Sequence, residues 1–165
     1  MPAGRLAGGA GGTGTSARTP PPPPEVLKAI GLAGEVAAGE WLRHHFGVPP
    51  ENSWVSGYRD LLLGDGQGDD SLGYDFRIIT GERTRLFEVK ATAGDNTEFT
   101  LGETEVRRAQ DLQPEEEYLI IFITHVLDSQ RRRITPLPNP FASGGLSRYR
   151  FAGHSIRLQF TCEKS

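Results

Sequence analysis

Apolar residues recur in the first part of the chain with the spacing of an α-helix. Between Glu25 and Phe46 they form one helical stripe, with Pro24 just before it and Gly47 just after, as is typical of a helix start and end. The stripe consists of Leu27, Ile30, Gly34, Ala37, Ala38, Trp41 and Leu42. This pattern predicts a first helix that packs on the core along the stripe.

Later apolar runs have the length and composition of β-strands. Residues 74–80 and 85–92 predict a hairpin that turns at Gly81 and Glu82, and the continuous run 118–126 predicts a central strand. The other predicted elements are strands at 54–55, 133–136 and 156–160, a helix over about 103–112, and loops over 60–72 and 136–145. This order predicts an α/β or α+β fold with a mixed sheet flanked by two helices.

Charged residues interrupt one of these strands. In the run Leu86 to Ala91 the period of two places Phe87 and Val89 on one face, with Glu88 and Lys90 together on the other. Burial of an unpaired carboxylate or ammonium is costly, so such groups usually form pairs or hold a metal ion. The second face of this strand is therefore a candidate site.

Asp75 extends the candidate site across the predicted hairpin. The turn at 81–82 would bring Asp75 and Glu88 level on neighbouring strands. Two carboxylates are enough to anchor Mg²⁺, which keeps several of its waters. Lys90 could orient or deprotonate a water, or offset charge on a phosphate. Glu35, at the border of the helical stripe, could reach into the same site.

Composition limits the domain organisation. Residues 1–24 are rich in Gly, Ala and Pro and contain no acids, which predicts a disordered tail or linker, with a transit peptide as an alternative. Residues 25–165 are then one domain. The linker-like composition before it suggests that this domain once followed, or normally follows, another domain. With 36% hydrophobic residues and no long apolar run, we expect no membrane span.

Charge and cysteine content limit the function classes. The net charge of −3 and pI of about 5.8 disfavour non-specific binding of nucleic acid, so any such contact would be local or bridged by cations. The single cysteine, Cys162, excludes an internal disulfide and fits a reducing, cytoplasmic location.

Short motifs in a fixed order resemble a known family. They are Gly34-Glu35, Gly73-Tyr74-Asp75, Glu88-Val89-Lys90-Ala91-Thr92, Phe99-Thr100-Leu101, and Glu105 with Ala109. Asp75 followed by Glu88-Val89-Lys90 resembles the PD-(D/E)XK nuclease superfamily, although Tyr74 stands where that superfamily usually has proline. The full set is similar to the domain at the C-terminus of the plant NO VEIN protein and in bacterial proteins, over about residues 26–140.

The resemblance implies a restriction-endonuclease-like fold and assigns roles to the candidate residues. Asp75 and Glu88 would bind Mg²⁺ or Mn²⁺, Lys90 would assist the attacking water, and Glu35 would hold a metal-bound water. Glu105 matches a recurring helix position without a role that we can assign. The implied activity is hydrolysis of nucleic-acid phosphodiester bonds, in DNA rather than RNA, in restriction, defence or repair. A homodimer and a helicase or ATPase partner would fit this activity.

Less specific interpretations stay open. Glu88 and Lys90 could form a salt bridge on a solvated strand face, Asp75 could be a strand-end residue, and Glu35 could mark the amphipathic boundary of its helix. The basic run 131–133 fits an exposed surface as well as a phosphate contact. The alternative function is a catalytically inactive binding or regulatory module that keeps the nuclease fold.

Overall fold

A mixed α+β architecture is present in the computed structural model, which describes residues 20, 22–151 and 157–160. In this part of the chain the helices are α1 (Pro24–Phe46), α2 (Pro50–Ser53), α3 (Tyr58–Leu63) and α4 (Glu103–Gln110). The strands are β1 (Phe76–Thr80), β2 (Arg83–Ala91), β3 (Glu98–Thr100), β4 (Glu116–Thr124), β5 (Arg133–Pro138), β6 (Tyr149–Phe151) and β7 (Arg157–Phe160). Short 3₁₀ turns cover Asp70–Leu72 and Gly145–Arg148.

Two sheets are formed by these strands. The larger has the order β1-β2-β4-β5, with β2 and β4 parallel and the two outer pairs antiparallel. The smaller has the order β3-β7-β6 and is antiparallel throughout. The parallel pair needs a crossover, which here contains β3 and α4. The mixed sheet and the central position of β4 are therefore confirmed.

The period of two along β4 divides the core between the two faces of the larger sheet. Ile121 and Ile123 pack with α1 on one face, whereas Ile120 and Phe122 belong to a second cluster that includes residues of the smaller sheet. All four side chains are fully buried. This explains why the sequence of β4 is continuously apolar rather than alternating.

Gly34 lets α1 lie directly against β2. A Cβ atom at this position would lie 2.7 Å from the Cβ of Ala91, which is too close for any side chain. The helix and strand therefore meet at van der Waals distance, and the residue after Gly34, Glu35, lies beside the sheet rather than in solvent.

Several boundaries differ from the sequence predictions. The loop expected over 60–72 is present only over 64–69, because α3 continues to Leu63 and is closed by Gly64 in a left-handed conformation, and a 3₁₀ turn follows at Asp70–Leu72. The loop expected over 136–145 was wrong at its start, since β5 continues to Pro138 on the sheet edge. Trp54 makes only an isolated bridge with Phe76, and β6 was not predicted.

The remaining predictions concern the ends of the chain and the membrane. The predicted tail over residues 1–24 lies almost entirely outside the described residues, as does Ile156 at the start of the last predicted strand. Within the described ranges, no helix combines the length and apolar content that a membrane crossing would require.

Candidate active site

Asp75 and Glu88 face each other where the β1–β2 ladder ends. Phe76 pairs with Phe87, and the Asp75 amide donates to the Phe87 carbonyl at 2.8 Å, so the next opposed pair is Asp75 and Glu88. β1 has no residue opposite Val89. The Asp75 side chain takes the place of a strand partner there, since its Oδ2 accepts the Val89 N–H at 2.7 Å. The carboxylate thus satisfies a backbone donor on β2 that would otherwise lack a partner.

Lys90 is held between two carboxylates. Its Nζ lies 2.8 Å from Glu88 Oε1 and 2.8 Å from Glu105 Oε2. The same Glu105 oxygen accepts the Gly102 N–H at 2.8 Å and so caps the first turn of α4. Glu105, whose role the motifs left open, therefore joins the start of α4 to the charged face of β2.

The lysine is cationic in this arrangement. Burial lowers the pKa of Lys90, but the Glu88 and Glu105 carboxylates raise it by more, so the net pKa lies above the ordinary value for lysine. An ammonium has no lone pair with which to accept a proton. In this arrangement Lys90 can donate hydrogen bonds and supply positive charge, but it cannot act as a base.

Glu35 reaches the site from α1 and is only 5% exposed. Its Oε2 accepts two hydrogen bonds, one from Trp54 Nε1 at 2.5 Å and a close one from Ser56 Oγ. Trp54 and Ser56 are themselves buried. Our sequence prediction missed both residues, although their spacing of two places them on one face of the short extended segment predicted there.

Three carboxyl groups at the site are harder to ionise than usual. Burial raises the pKa of Glu35 to about 7. The hydrogen bonds from Ser56 and Trp54 lower this pKa but do not outweigh burial, and the charge of Glu88 raises it further. Burial also raises the pKa of Asp75 and of Glu88 well above the ordinary values, and the charge of a neighbouring carboxylate adds to each shift. The site thus contains more negative charge than its one lysine offsets.

A cleft of about 630 Å³ opens over these residues. Its acidic lining residues are Glu35, Asp70, Asp75, Glu88, Glu103 and Glu105. In the described part of the chain, Lys28 is the one basic residue that lines it. Of the residues predicted to form a site, Glu35, Asp75 and Glu88 line the cleft directly, and Lys90 is held between two lining carboxylates.

One oxygen of each facing carboxylate is free to take a ligand from the cleft. Asp75 Oδ1 and Glu88 Oε2 accept no hydrogen bond from the described residues, and neither is fully buried. The described residues do not contain a ready-made cage of three or more His, Cys, Asp or Glu side chains around a metal. An ion here would keep part of its own hydration, as Mg²⁺ does.

The basic run Arg131-Arg132-Arg133 lies elsewhere. Arg133 begins β5 opposite Thr124, and Arg132 Nε donates to the Val126 carbonyl at 3.1 Å. None of the three arginines lines the cleft. The structure therefore gives no support to a phosphate contact from this run at the candidate site.

One family model matches part of the chain. Residues 63–136 match the family model described as Protein NO VEIN, C-terminal. The matched segment contains Asp75, Glu88, Lys90 and Glu105, whereas Glu35, Trp54 and Ser56 precede it. No curated protein and no solved structure gives a significant match to the chain.

Proposed function

We propose that this chain, which carries a NO VEIN C-terminal-like domain over residues 63–136, is a Mg²⁺-dependent nuclease of the PD-(D/E)XK type. Its substrate would be a nucleic-acid phosphodiester, in DNA rather than RNA. The observation that carries the proposal is the meeting of Asp75 and Glu88 at the end of the β1–β2 ladder, with the Lys90 ammonium 2.8 Å from Glu88.

The residues present fit a hard divalent cation. Asp75 and Glu88 each have one carboxylate oxygen without a partner among the described residues. Val89 lines the same cleft, and its carbonyl, on the same edge of β2 as the N–H that donates to Asp75, would add a third oxygen. Carboxylate and carbonyl oxygens are the ligands that Mg²⁺ or Mn²⁺ takes, with waters in the remaining positions.

The charge balance supports the same assignment. Three carboxyl groups, those of Asp75, Glu88 and Glu105, are coupled to the ammonium of Lys90, and a fourth, that of Glu35, is coupled to Asp75 and Glu88. A divalent cation would offset this excess and favour the ionised form of each carboxylate. When bound, the ion would polarise a phosphoryl oxygen and lower the pKa of a water molecule.

The protein side chains would then divide the remaining work. Lys90, fixed by Glu88 and Glu105, would place a positive charge where negative charge develops on the phosphate. Glu35, whose pKa lies at about 7, would accept a proton from the attacking water. We therefore propose charge stabilisation rather than proton abstraction as the role of Lys90.

The setting of the activity is also a proposal. A cleft lined by six acids and one lysine does not provide the basic surface that holds a duplex. A second copy of the chain, or a helicase or ATPase partner, would supply that surface in the cytoplasm.

Calorimetric titration tests the proposal directly. Mn²⁺ is titrated into the full chain and into the Asp75→Asn/Glu88→Gln double variant, with Glu117→Gln as a control on the surface of β4. Single-stranded DNA, duplex DNA and RNA are then incubated with each protein. We expect metal binding and cleavage by the wild type and the control, and neither by the double variant.

Two results would contradict the nuclease. Absence of Mn²⁺ binding by the wild type would remove the metal site. Metal binding without cleavage, together with a partner protein whose affinity is the same for the double variant, would instead favour the inactive binding module.

A further inference from the structure

We propose that Trp54 and Ser56 are positioning residues that hold Glu35 with one carboxylate oxygen turned toward the cleft, where the attacking water would lie. The inference deepens the proposed nuclease function and rests on it. Neither residue lies in the segment that matches the family model, and the side-chain hydrogen bonds of both go to Glu35 and to each other rather than to Asp75 or Glu88.

The hydrogen bonds fix the carboxylate from one side. Trp54 Nε1 lies 2.5 Å from Glu35 Oε2 and 3.0 Å from Ser56 Oγ, and the Ser56 hydroxyl donates to the same Glu35 oxygen. Both donors therefore converge on Oε2. The other oxygen, Oε1, accepts no hydrogen bond from the described residues, and Glu35 lines the cleft.

The segment that supplies the donors, Trp54 to Ser56, is itself held by contacts with other elements of the fold. The Trp54 ring stacks on Phe76 with centroids 5.6 Å apart, and its carbonyl accepts a hydrogen bond from Arg59 at 2.5 Å. The next residue, Val55, donates its N–H to the Asp75 carbonyl at 2.8 Å. The donors to Glu35 are thus tied to the backbone of Asp75, so the segment links the two carboxylates.

Ionisable groups from every neighbouring element face Glu35. Glu88 on β2, Asp70 in the 3₁₀ turn, Asp75 before β1 and Tyr58 on α3 are all electrostatically coupled to it. The three carboxylates disfavour an ionised Glu35, whereas the hydrogen bonds from Trp54 and Ser56 favour it. Loss of either donor should therefore leave Glu35 protonated at a higher pH.

The chain offers matched controls for both residues. Ser56→Ala removes the hydroxyl, and Ser53→Ala is its control, because Ser53 is equally buried but donates to the Pro49 carbonyl. Trp54→Phe keeps a ring against Phe76 but removes the N–H. Trp41→Phe is its control, since Trp41 stacks on His45 near the C-terminal end of α1, away from Glu35.

The first readout needs neither metal nor substrate. The chain has two tryptophans, so two indole N–H signals are expected in the nuclear magnetic resonance spectrum of the ¹⁵N-labelled protein. The Trp54 signal should shift with a midpoint near pH 7, and this shift should vanish in Glu35→Gln. In Ser56→Ala the midpoint should rise by about 1 unit, as expected for one hydrogen bond lost by a carboxylate.

The second readout is the pH dependence of cleavage. A rise of about 1 unit from a pKa of about 7 reduces the ionised fraction at pH 7 about fivefold. We expect kcat of Ser56→Ala to fall by about this factor at pH 7 with KM unchanged, and to recover at higher pH. Ser53→Ala and Trp41→Phe should keep the wild-type profile.

The outcomes separate this inference from the proposed function. An unchanged Trp54 midpoint in Ser56→Ala, or a shift that persists in Glu35→Gln, would overturn the positioning role. A raised midpoint in a wild type that cleaves nothing would support the orientation of Glu35 and overturn the nuclease. If Ser56→Ala does not fold, Trp54→Phe makes the same prediction, with Glu35 followed through its carboxyl carbon.

Discussion

Two clusters that each contain buried charge meet at Trp54, whose carbonyl accepts from Arg59 and whose indole N–H donates to Glu35, and they are built differently. Arg59 is 6% exposed and is neutralised by Asp65, with further hydrogen bonds to the carbonyls of Glu51 and Trp54. Its hydrogen bonds lower the pKa of Asp65. Glu88 is 4% exposed, yet burial and the charge of Asp75 raise its pKa well above the ordinary value.

The difference separates a structural ion pair from a candidate site. In the first cluster the charges match and favour the ionised state, as expected of an interaction that holds a loop in place. In the second cluster the carboxylates oppose one another's ionisation, and Lys90 pairs with two of them, Glu88 and Glu105. Burial of a charged group alone therefore does not indicate function. A cluster in which buried groups of one charge outnumber their partners of opposite charge does.

Removal of Arg59 should cause the largest loss of stability. Arg59→Met leaves two backbone carbonyls without their donor, at about 1–3 kcal/mol for each that stays buried, and it also removes the partner of the exposed Asp65 carboxylate. Urea denaturation measures the effect, and Arg107→Met on the exposed face of α4 is the control. A loss below about 1 kcal/mol would mean that the Arg59 cluster does not stabilise the fold.

Removal of Glu88 should affect activity instead. Glu88→Gln takes away one proposed ligand and a partner of Lys90, and we expect cleavage to fall by about a thousandfold, or about 4 kcal/mol in transition-state free energy. Its melting temperature at pH 8 should not fall, because the variant no longer has to bury that charge. If Glu88→Gln retains cleavage but has a lower melting temperature, Glu88 serves the stability of the fold and not the activity.

Glu35 should make the protein less stable as the pH rises. Its pKa is about 7 in the folded protein and 4.5 ordinarily, so between these values the unfolded chain releases the proton first and folding becomes less favourable. The full contribution is present below about pH 4.5 and is lost by about pH 7. Glu35→Gln keeps an acceptor for Trp54 and should be more stable than the wild type at pH 8, by at most about 3 kcal/mol.

Denaturation at pH 4 and pH 8 checks this sign. Glu35→Gln should have a larger free energy of unfolding than the wild type at pH 8, and the two should be equal at pH 4. An advantage that is equal at both values would mean that Glu35 has no raised pKa.

Metal addition should produce the smallest of these changes. A divalent cation at one hundred times its Kd stabilises the folded state by about 2.7 kcal/mol. Addition of Mn²⁺ should raise the melting temperature of the wild type and of Arg107→Met. It should not raise the melting temperature of Asp75→Asn/Glu88→Gln. The increase should be greater at pH 8 than at pH 6, because binding requires ionised carboxylates. Stabilisation of all three proteins would place the metal elsewhere.

Local patterns were enough for a large part of the fold and of the site. The alternation of Glu88 and Lys90 with apolar neighbours placed their side chains on one face, and the hairpin at Gly81 brought Asp75 level with Glu88. Both relations depend on a strand period or a short turn, which neighbouring residues alone determine. The helical stripe of α1 and the continuous run of β4 were recognisable for the same reason.

Long-range packing supplied what those patterns lacked. Glu105 meets Lys90 only because the crossover returns α4 to the charged face of β2. The Asp60 to Leu72 segment looked like a loop, since the hydrogen bonds of Arg59 to Asp65 and Trp54 are not visible in its composition. The close pairing of α1 with β2 at Gly34 likewise depends on tertiary contact.

The sequence by itself determined which charged residues share the face of β2 and which carboxylate lies opposite them across the hairpin. The tertiary structure alone decided how those charges are balanced, since Lys90 is paired with Glu105 and Glu35 is held by Trp54 and Ser56. The physical reason is that periodicity sets the direction of a side chain within its own element, whereas ionisation depends on burial and on groups from distant parts of the chain.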